Sequence, residues 1–171
     1  MDIIIRKVLK DDAYEYAVNH IKCWQDAYKG VIPDDYLDSM STELEQRAER
    51  NRQFLAEPGD CDYCCAELDG EMVGRLVFGK SHDDDKTDVG EIHAIYLLAE
   101  FWGKGYGKQM MDYALAELTR LGYNEVTIWV FRENKRGRQF YEKHGFLADG
   151  KEMELEFGKP LKCMRYTLSI Q

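Results

Sequence analysis

Glu91-Ile-His-Ala-Ile-Tyr-Leu-Leu-Ala-Glu-Phe-Trp-Gly-Lys-Gly-Tyr-Gly-Lys108 is the stretch that decides the fold. Its first half is an apolar run of strand length, and its end opens an amphipathic helix over 104–121. Between them Gly103, Gly105 and Gly107 strip side chains from a tight turn, so that backbone amides face outward. The first N–H groups of the helix have no intrahelical acceptor, and its dipole puts positive charge at the same spot. This combination is an anion site suited to a pyrophosphate. Lys104 and Lys108 add charge beside it.

Two other phosphate motifs do not fit. A P-loop needs Gly-Lys-Ser/Thr, and Lys108 is followed by Gln109 at the wrong spacing. A dinucleotide fold needs Gly-x-Gly-x-x-Gly early in a strand–helix–strand unit, whereas here Gly-x-Gly-x-Gly stands mid-chain after a hairpin. Taken alone, the glycine spacing leaves a purely structural turn open.

Downstream, residues 124–131 read as a buried strand and 134–144 as a short helix capped by Asn134 and ended by Gly145. Strands follow near 146–156 and 161–169. Upstream, Asp69-Gly70 joins strands 61–68 and 71–79 in a hairpin, and 89–98 is the strand of the opening stretch. Residues 2–8 are a first strand. Asp11 or Asp12 caps a helix to about Tyr28, with Tyr14, Ala17, Ile21, Trp24 and Tyr28 on one stripe. Gly30 and Pro33 break the chain, and 41–56 is a second helix, with Ser41 as candidate cap. No repeat, low-complexity tract or linker divides the chain, so one domain over 1–171 is expected.

The second chemical segment is Trp129-Val-Phe-Arg-Glu-Asn-Lys-Arg-Gly-Arg-Gln-Phe-Tyr-Glu-Lys-His-Gly-Phe146. With the first segment, in this order and about 30 residues apart, it resembles the acetyl-CoA-binding and second motifs of the GNAT superfamily of N-acetyltransferases. Trp24-x-x-Ala27-Tyr28-x-Gly30-x-x-Pro33 also resembles small bacterial-type members. The resemblance covers nearly the whole chain. It implies a mixed α/β fold with a central, mostly antiparallel twisted sheet of six to seven strands and about four flanking helices.

The resemblance also implies roles. Backbone at Ile95, Tyr96 and Leu97 bonds the pantetheine arm of acetyl-CoA like an added strand. Amides of Gly103, Lys104, Gly105, Tyr106, Gly107 and Lys108 hold the pyrophosphate. Asn134 is similar in position to a residue that contacts the cofactor arm, and Tyr141 to the tyrosine that protonates the departing thiolate. Trp24 and Tyr28, with Tyr36, lie where relatives wall the acceptor pocket. One departure stands out: the turn usually begins with Arg or Gln, and here it begins with Trp102, whose indole supplies no guanidinium charge.

A thioester needs mainly an aligned neutral amine, and something must take the amine's proton. Glu91 resembles in its offset the catalytic glutamate of the histone-acetyltransferase branch; the alternative is a solvated strand-end carboxylate. His93, two residues on and on the same face, is a second base candidate or a structural histidine. Tyr141 fits a thiolate leaving group because a phenol near pKa 10 donates at neutral pH. Expected, then, is direct transfer from acetyl-CoA to a primary amine of a small molecule or peptide. A non-catalytic acyl-CoA sensor and a protein lysine or N-terminal acetyltransferase are the alternatives.

The composition narrows the partners. A net charge of −9 on 171 residues argues against nucleic-acid binding. It suits solubility, and leaves a cationic acceptor open; so does Asp83-Asp84-Asp85, read otherwise as a solvated loop. There is no run of about 18 apolar residues and no basic-then-apolar leader, so a cytoplasmic protein is expected. Cys61-x-x-Cys64 lacks a second pair for a closed zinc site, and buried strand thiols with no metal are expected. A homodimer is an expectation of the resemblance only.

Overall fold

The structure is a computed structural model and describes residues 2–170; Met1 and Gln171, the ends of the expected 1–171 domain, lie outside the described residues. Seven strands form one sheet: β1 (Ile4–Lys7), β2 (Cys61–Leu68), β3 (Glu71–Lys80), β4 (Gly90–Leu97), β5 (Glu125–Phe131), β6 (Leu147–Glu156) and β7 (Pro160–Ser169). Their order is β1-β2-β3-β4-β5-β7-β6. Every pairing is antiparallel except β4 with β5. Asp69 and Gly70, with φ of 53° and 85°, turn β2 into β3 as the hairpin signal predicts.

Five α-helices flank the sheet: α1 (Ala13–Ala27), α2 (Asp34–Ser39), α3 (Leu44–Ala56), α4 (Tyr106–Arg120) and α5 (Lys135–Lys143). Helix α4 buries Tyr106, Met110, Met111, Ala114 and Leu118, one face at helical spacing, against β3 and β4. Burying each of Met110, Met111 and Leu118 is worth about 1.5–3 kcal/mol. Helix α1 packs on β3 and α3. Successive residues of a strand face opposite sides. Accordingly Cys64 joins the α4 core, while Cys65 meets Tyr16 of α1.

Several local expectations are corrected. Tyr14 is 44% exposed, and Tyr16 takes its place in the buried stripe of α1, because the face docked on β3 and α3 runs through Ala13, Tyr16, Ala17 and Ile21. Asp12 stands at the α1 cap, but its carboxylate accepts from the Leu9 N–H and pairs with Arg6 instead. Ser41 lies inside a 3-10 turn (Met40–Glu43), so α3 starts at Leu44. The break expected at Gly30 and Pro33 is followed by helix α2, which Pro33 precedes and whose first turn carries Asp34 and Asp35, where the helix dipole favours acids.

Candidate active site

Strands β4 and β5 pair only at Gly90 with Val126 and Glu91 with Thr127, and then separate. Beyond that point β4 has no ladder partner on this side, so the backbone of His93 to Leu97 faces a cleft. A cavity of about 150 Å³ fills the opening, walled by His93–Leu97 on one side and Ile128–Val130 on the other. An amide-bearing chain laid here would complete the sheet edge. Both Ile95 and Tyr96 line it. So does Leu97, but its carbonyl already accepts from the Trp102 indole N–H at 2.8 Å.

The glycine turn closes one end of the cleft. Gly103 and Gly105 have φ of 73° and 87°, a backbone region closed to most side chains. Gly105 caps α4, and the first helical bond there runs from Gln109 N–H to the Gly105 carbonyl. The amides of Tyr106, Gly107 and Lys108 are therefore left without helical acceptors. At Gly107 a Cβ would stand 3.3 Å from the Phe140 ring, so glycine lets α4 approach α5. Lys104 Nζ lies over the Phe101 ring at 5.3 Å. Lys108 is turned to Asp112, one helical turn on, at 2.5 Å.

Trp102 holds a cation even though it carries none. The guanidinium of Arg136, from the first turn of α5, lies 3.1 Å from the centre of its ring. Both residues line the cleft. Nothing in its own segment singles out Arg136, which stands 34 residues beyond Trp102 and reaches it only through the packing of α5. Asn134 caps α5 by accepting from Gly137 N–H at 2.9 Å, as expected, and also lines the cleft.

Tyr141 is buried on α5 and lines the same cleft, and its hydroxyl makes no hydrogen bond among the described residues. Burial, with the Tyr96 hydroxyl nearby, pushes its phenol above the ordinary range, so it stays protonated. Tyr96 and Tyr28 share a hydrogen bond of 2.6 Å. Trp24 packs edge-on against Tyr28 and Phe157, and Phe157 edge-on against Tyr36. The three first-region aromatics thus gather beside the cleft, with Tyr28 on its wall.

Glu91 is 8% exposed and lies behind the cleft. Its carboxylate accepts from Ser81 Oγ at 2.8 Å and lies 3.2 Å from His93 Nδ1. Burial alone would raise its pKa. The His93 bond and charge, Ser81 and the His82 N–H outweigh that and hold it below the ordinary range. His93 reaches the cavity wall instead, its Nε2 within 3.1 Å of the Lys80 carbonyl. Burial opposes its charge, but Cys61 and Glu91 push it up to about 10.

Two further readings change. The run Asp83-Asp84-Asp85 lies in a loop with Asp84 and Asp85 exposed, as expected, but two of its carboxylates also have a buried partner. Asp83 and Asp85 clasp Arg165, which is 4% exposed, at 2.9 and 2.7 Å, and Asp149 adds a third contact. Cys61 is only half-buried, and its thiol lies within 4.8 Å of the ring nitrogens of His82 and His93. Cys64 is in the core, because residues three apart on a strand face opposite sides. Three grouped donors fall one short of a closed zinc site.

Comparison with known proteins agrees with this geometry. A family model described as the acetyltransferase (GNAT) family matches residues 21–146. An uncharacterized N-acetyltransferase of Archaeoglobus fulgidus is 28% identical over 139 residues, covering 80% of this chain and 88% of its own. The spermidine N(1)-acetyltransferase of Thermoplasma acidophilum is 24% identical over 165 residues, covering 91% and 97%. The solved structure of the PaiA N-acetyltransferase of T. acidophilum in complex with coenzyme A shares the fold, with a TM-score of 0.76 at 22% identity over 96% of this chain and 98% of that one. No helix among the described residues is long and apolar enough to cross a membrane.

Proposed function

The chain belongs to the acetyltransferase (GNAT) family, and we propose that it moves the acetyl group of acetyl-CoA to a primary amine by direct attack. The observation that carries this reading is the cleft between the diverging β4 and β5, ended by the glycine turn and walled by Tyr141. The free edge of β4 at Ile95 and Tyr96 takes the amides of the pantetheine arm. Unpaired N–H groups at the start of α4 take the pyrophosphate. Arg136, resting on Trp102, supplies the guanidinium that position 102 lacks, and Lys104 adds charge at the rim.

The amine nitrogen attacks the thioester carbonyl carbon, a C–N bond forms, and the C–S bond then breaks. Tyr141 gives its hydroxyl proton to the leaving sulfur and recovers one from solvent. The proton lost by nitrogen goes to the Glu91–His93 pair, with His93 the member at the cavity and Glu91 its positioning partner. At neutral pH Cys61 and Glu91 hold His93 charged against the cost of its burial. Its base form is reached as the pH climbs toward about 10, the range in which an alkylammonium also gives up its proton. The acceptor is a primary amine of a small molecule or peptide.

Calorimetric titration tests the cofactor assignment. Acetyl-CoA is expected to bind once per chain, with NADH and ATP showing no comparable heat. A folded protein that ignores acetyl-CoA would reduce the glycine turn to a structural one.

A further inference from the structure

A second cavity, of about 350 Å³, meets the cofactor cleft at His93 and Ala94, which line both. Its other walls include His20 of α1, Arg47 and Arg50 of α3, and Arg75 of β3. That volume suits a small molecule.

Arg75 is the unusual member. It sits mid-strand at 9% exposure, and its Nε and Nη1 are buried without a hydrogen-bond partner. Its guanidinium carbon lies 4.4 Å from the centre of the Tyr16 ring, which supports one face but accepts none of its N–H groups. An arginine cannot shed its charge, and an uncompensated buried charge is strongly unfavourable. Arg47 gives one N–H to Glu43 at 3.0 Å, while its Nε is also buried without a partner. Arg50 makes no ion pair among the described residues and lies at the exposed rim. The field of the group is visible on His20. Burial first, and then the charges of Arg75, Arg47 and Arg50, hold its imidazole well below the ordinary range. In a chain of net charge −9, this cavity is locally positive.

We propose that the second cavity binds an anionic group of the acceptor, so that the substrate is a small amine bearing a carboxylate or phosphate-type anion. This rests on the acetyl-transfer reading above. His93 and Ala94 would then lie between the bound anion and the thioester, with the amine presented toward the cleft. A guanidinium meets either anion with two parallel N–H groups, which fixes orientation as well as charge. The selectivity reverses what net charge alone suggests, because a polyamine meets three arginines in the cavity walls. It also differs from the spermidine named for the T. acidophilum relative.

The test is CoA release by the full chain with matched amines: 4-aminobutyrate against butylamine, phosphoethanolamine against ethanolamine, and spermidine. At least one acid-bearing amine is expected to exceed its neutral partner roughly 10- to 100-fold in kcat/KM, chiefly through KM, the range of lost charge-assisted bonds. Which pair shows the larger ratio separates carboxylate from phosphate. Arg75→Gln should collapse the ratio by a similar factor. Arg50→Gln, at the rim, should lower it less and serves if the buried variant does not fold. Acetyl-CoA titration of the same samples keeps the two readings apart: lost binding in the wild type removes acetyl transfer itself. Retained binding with spermidine or neutral amines preferred, with no amine accepted, or with a ratio that neither arginine variant changes, overturns the anion site and leaves Arg75 as packing on Tyr16.

Discussion

At the scale of single residues, the site depends on charges that arrive from distant parts of the chain. Arg136 rests on the Trp102 ring, and under the proposed function it supplies the charge that position 102 lacks. Replacing Arg136 by Ala should weaken acetyl-CoA binding about tenfold in the calorimetric titration, since one charge-assisted bond is worth about 1.5–3 kcal/mol before solvent screening. An unchanged Kd would mean that the α4 amides carry the pyrophosphate alone. Tyr141, Asn134 and the turn glycines were legible in the sequence because each rests on local chemistry: a helix cap, a positive φ, a motif spacing. Arg75 and Arg136 were not. Neither position stands out in its own segment, and each gains its meaning from the register of β3 or the approach of α5. Glu91 was legible as a candidate, but only the structure shows that it lies behind His93.

At the scale of elements, the expected strands and long helices match the observed ones to within three residues at each end, and β2 matches at both. Hydrophobic period and turn chemistry agree there, as in Asp69-Gly70 between β2 and β3. The failures are short or frame-dependent. Helix α2 has six residues, too few to show a period, and a proline at its start reads as easily as a break. On α1 the choice between Tyr14 and Tyr16 turns on which face docks on β3 and α3, which a stripe alone does not fix. The acidic run at 83–85 reads as solvent-facing because its partner, Arg165, lies on β7, some 80 residues away. The parting of β4 and β5 has no local signal of its own. It begins where β4 is irregular against β3, the register slipping between the Val77–Ala94 and Phe78–Ile92 pairs just after the last β4–β5 pair at Glu91.

At the scale of the whole molecule, the Arg165 clasp ties the 81–89 loop to β7 and β6, and the same loop carries Ser81, which bonds Glu91. Arg165, through its hydrogen bonds and charge, holds the Asp85 carboxyl far below the usual carboxylate range. A depressed carboxylate stabilises the fold above its unfolded pKa, near 3.9, and loses that contribution as the pH falls. Arg165→Met should therefore flatten the decline of Tm between about pH 5 and 2. At neutral pH the same substitution takes a buried cation away from three partly exposed carboxylates, and the same scans should show a lower Tm than the wild type. Equal slopes for the two proteins would show that the clasp does not govern acid stability. The account as a whole stands on acetyl transfer across one cleft, and the most direct test is CoA release from acetyl-CoA by wild type and Tyr141→Phe with the preferred amine. The expected result is turnover by the wild type and a kcat about 100-fold lower in the variant, with acetyl-CoA binding retained, the size of a lost general acid. Acetyl-CoA bound without any release of CoA would contradict the account and make the chain an acyl-CoA sensor.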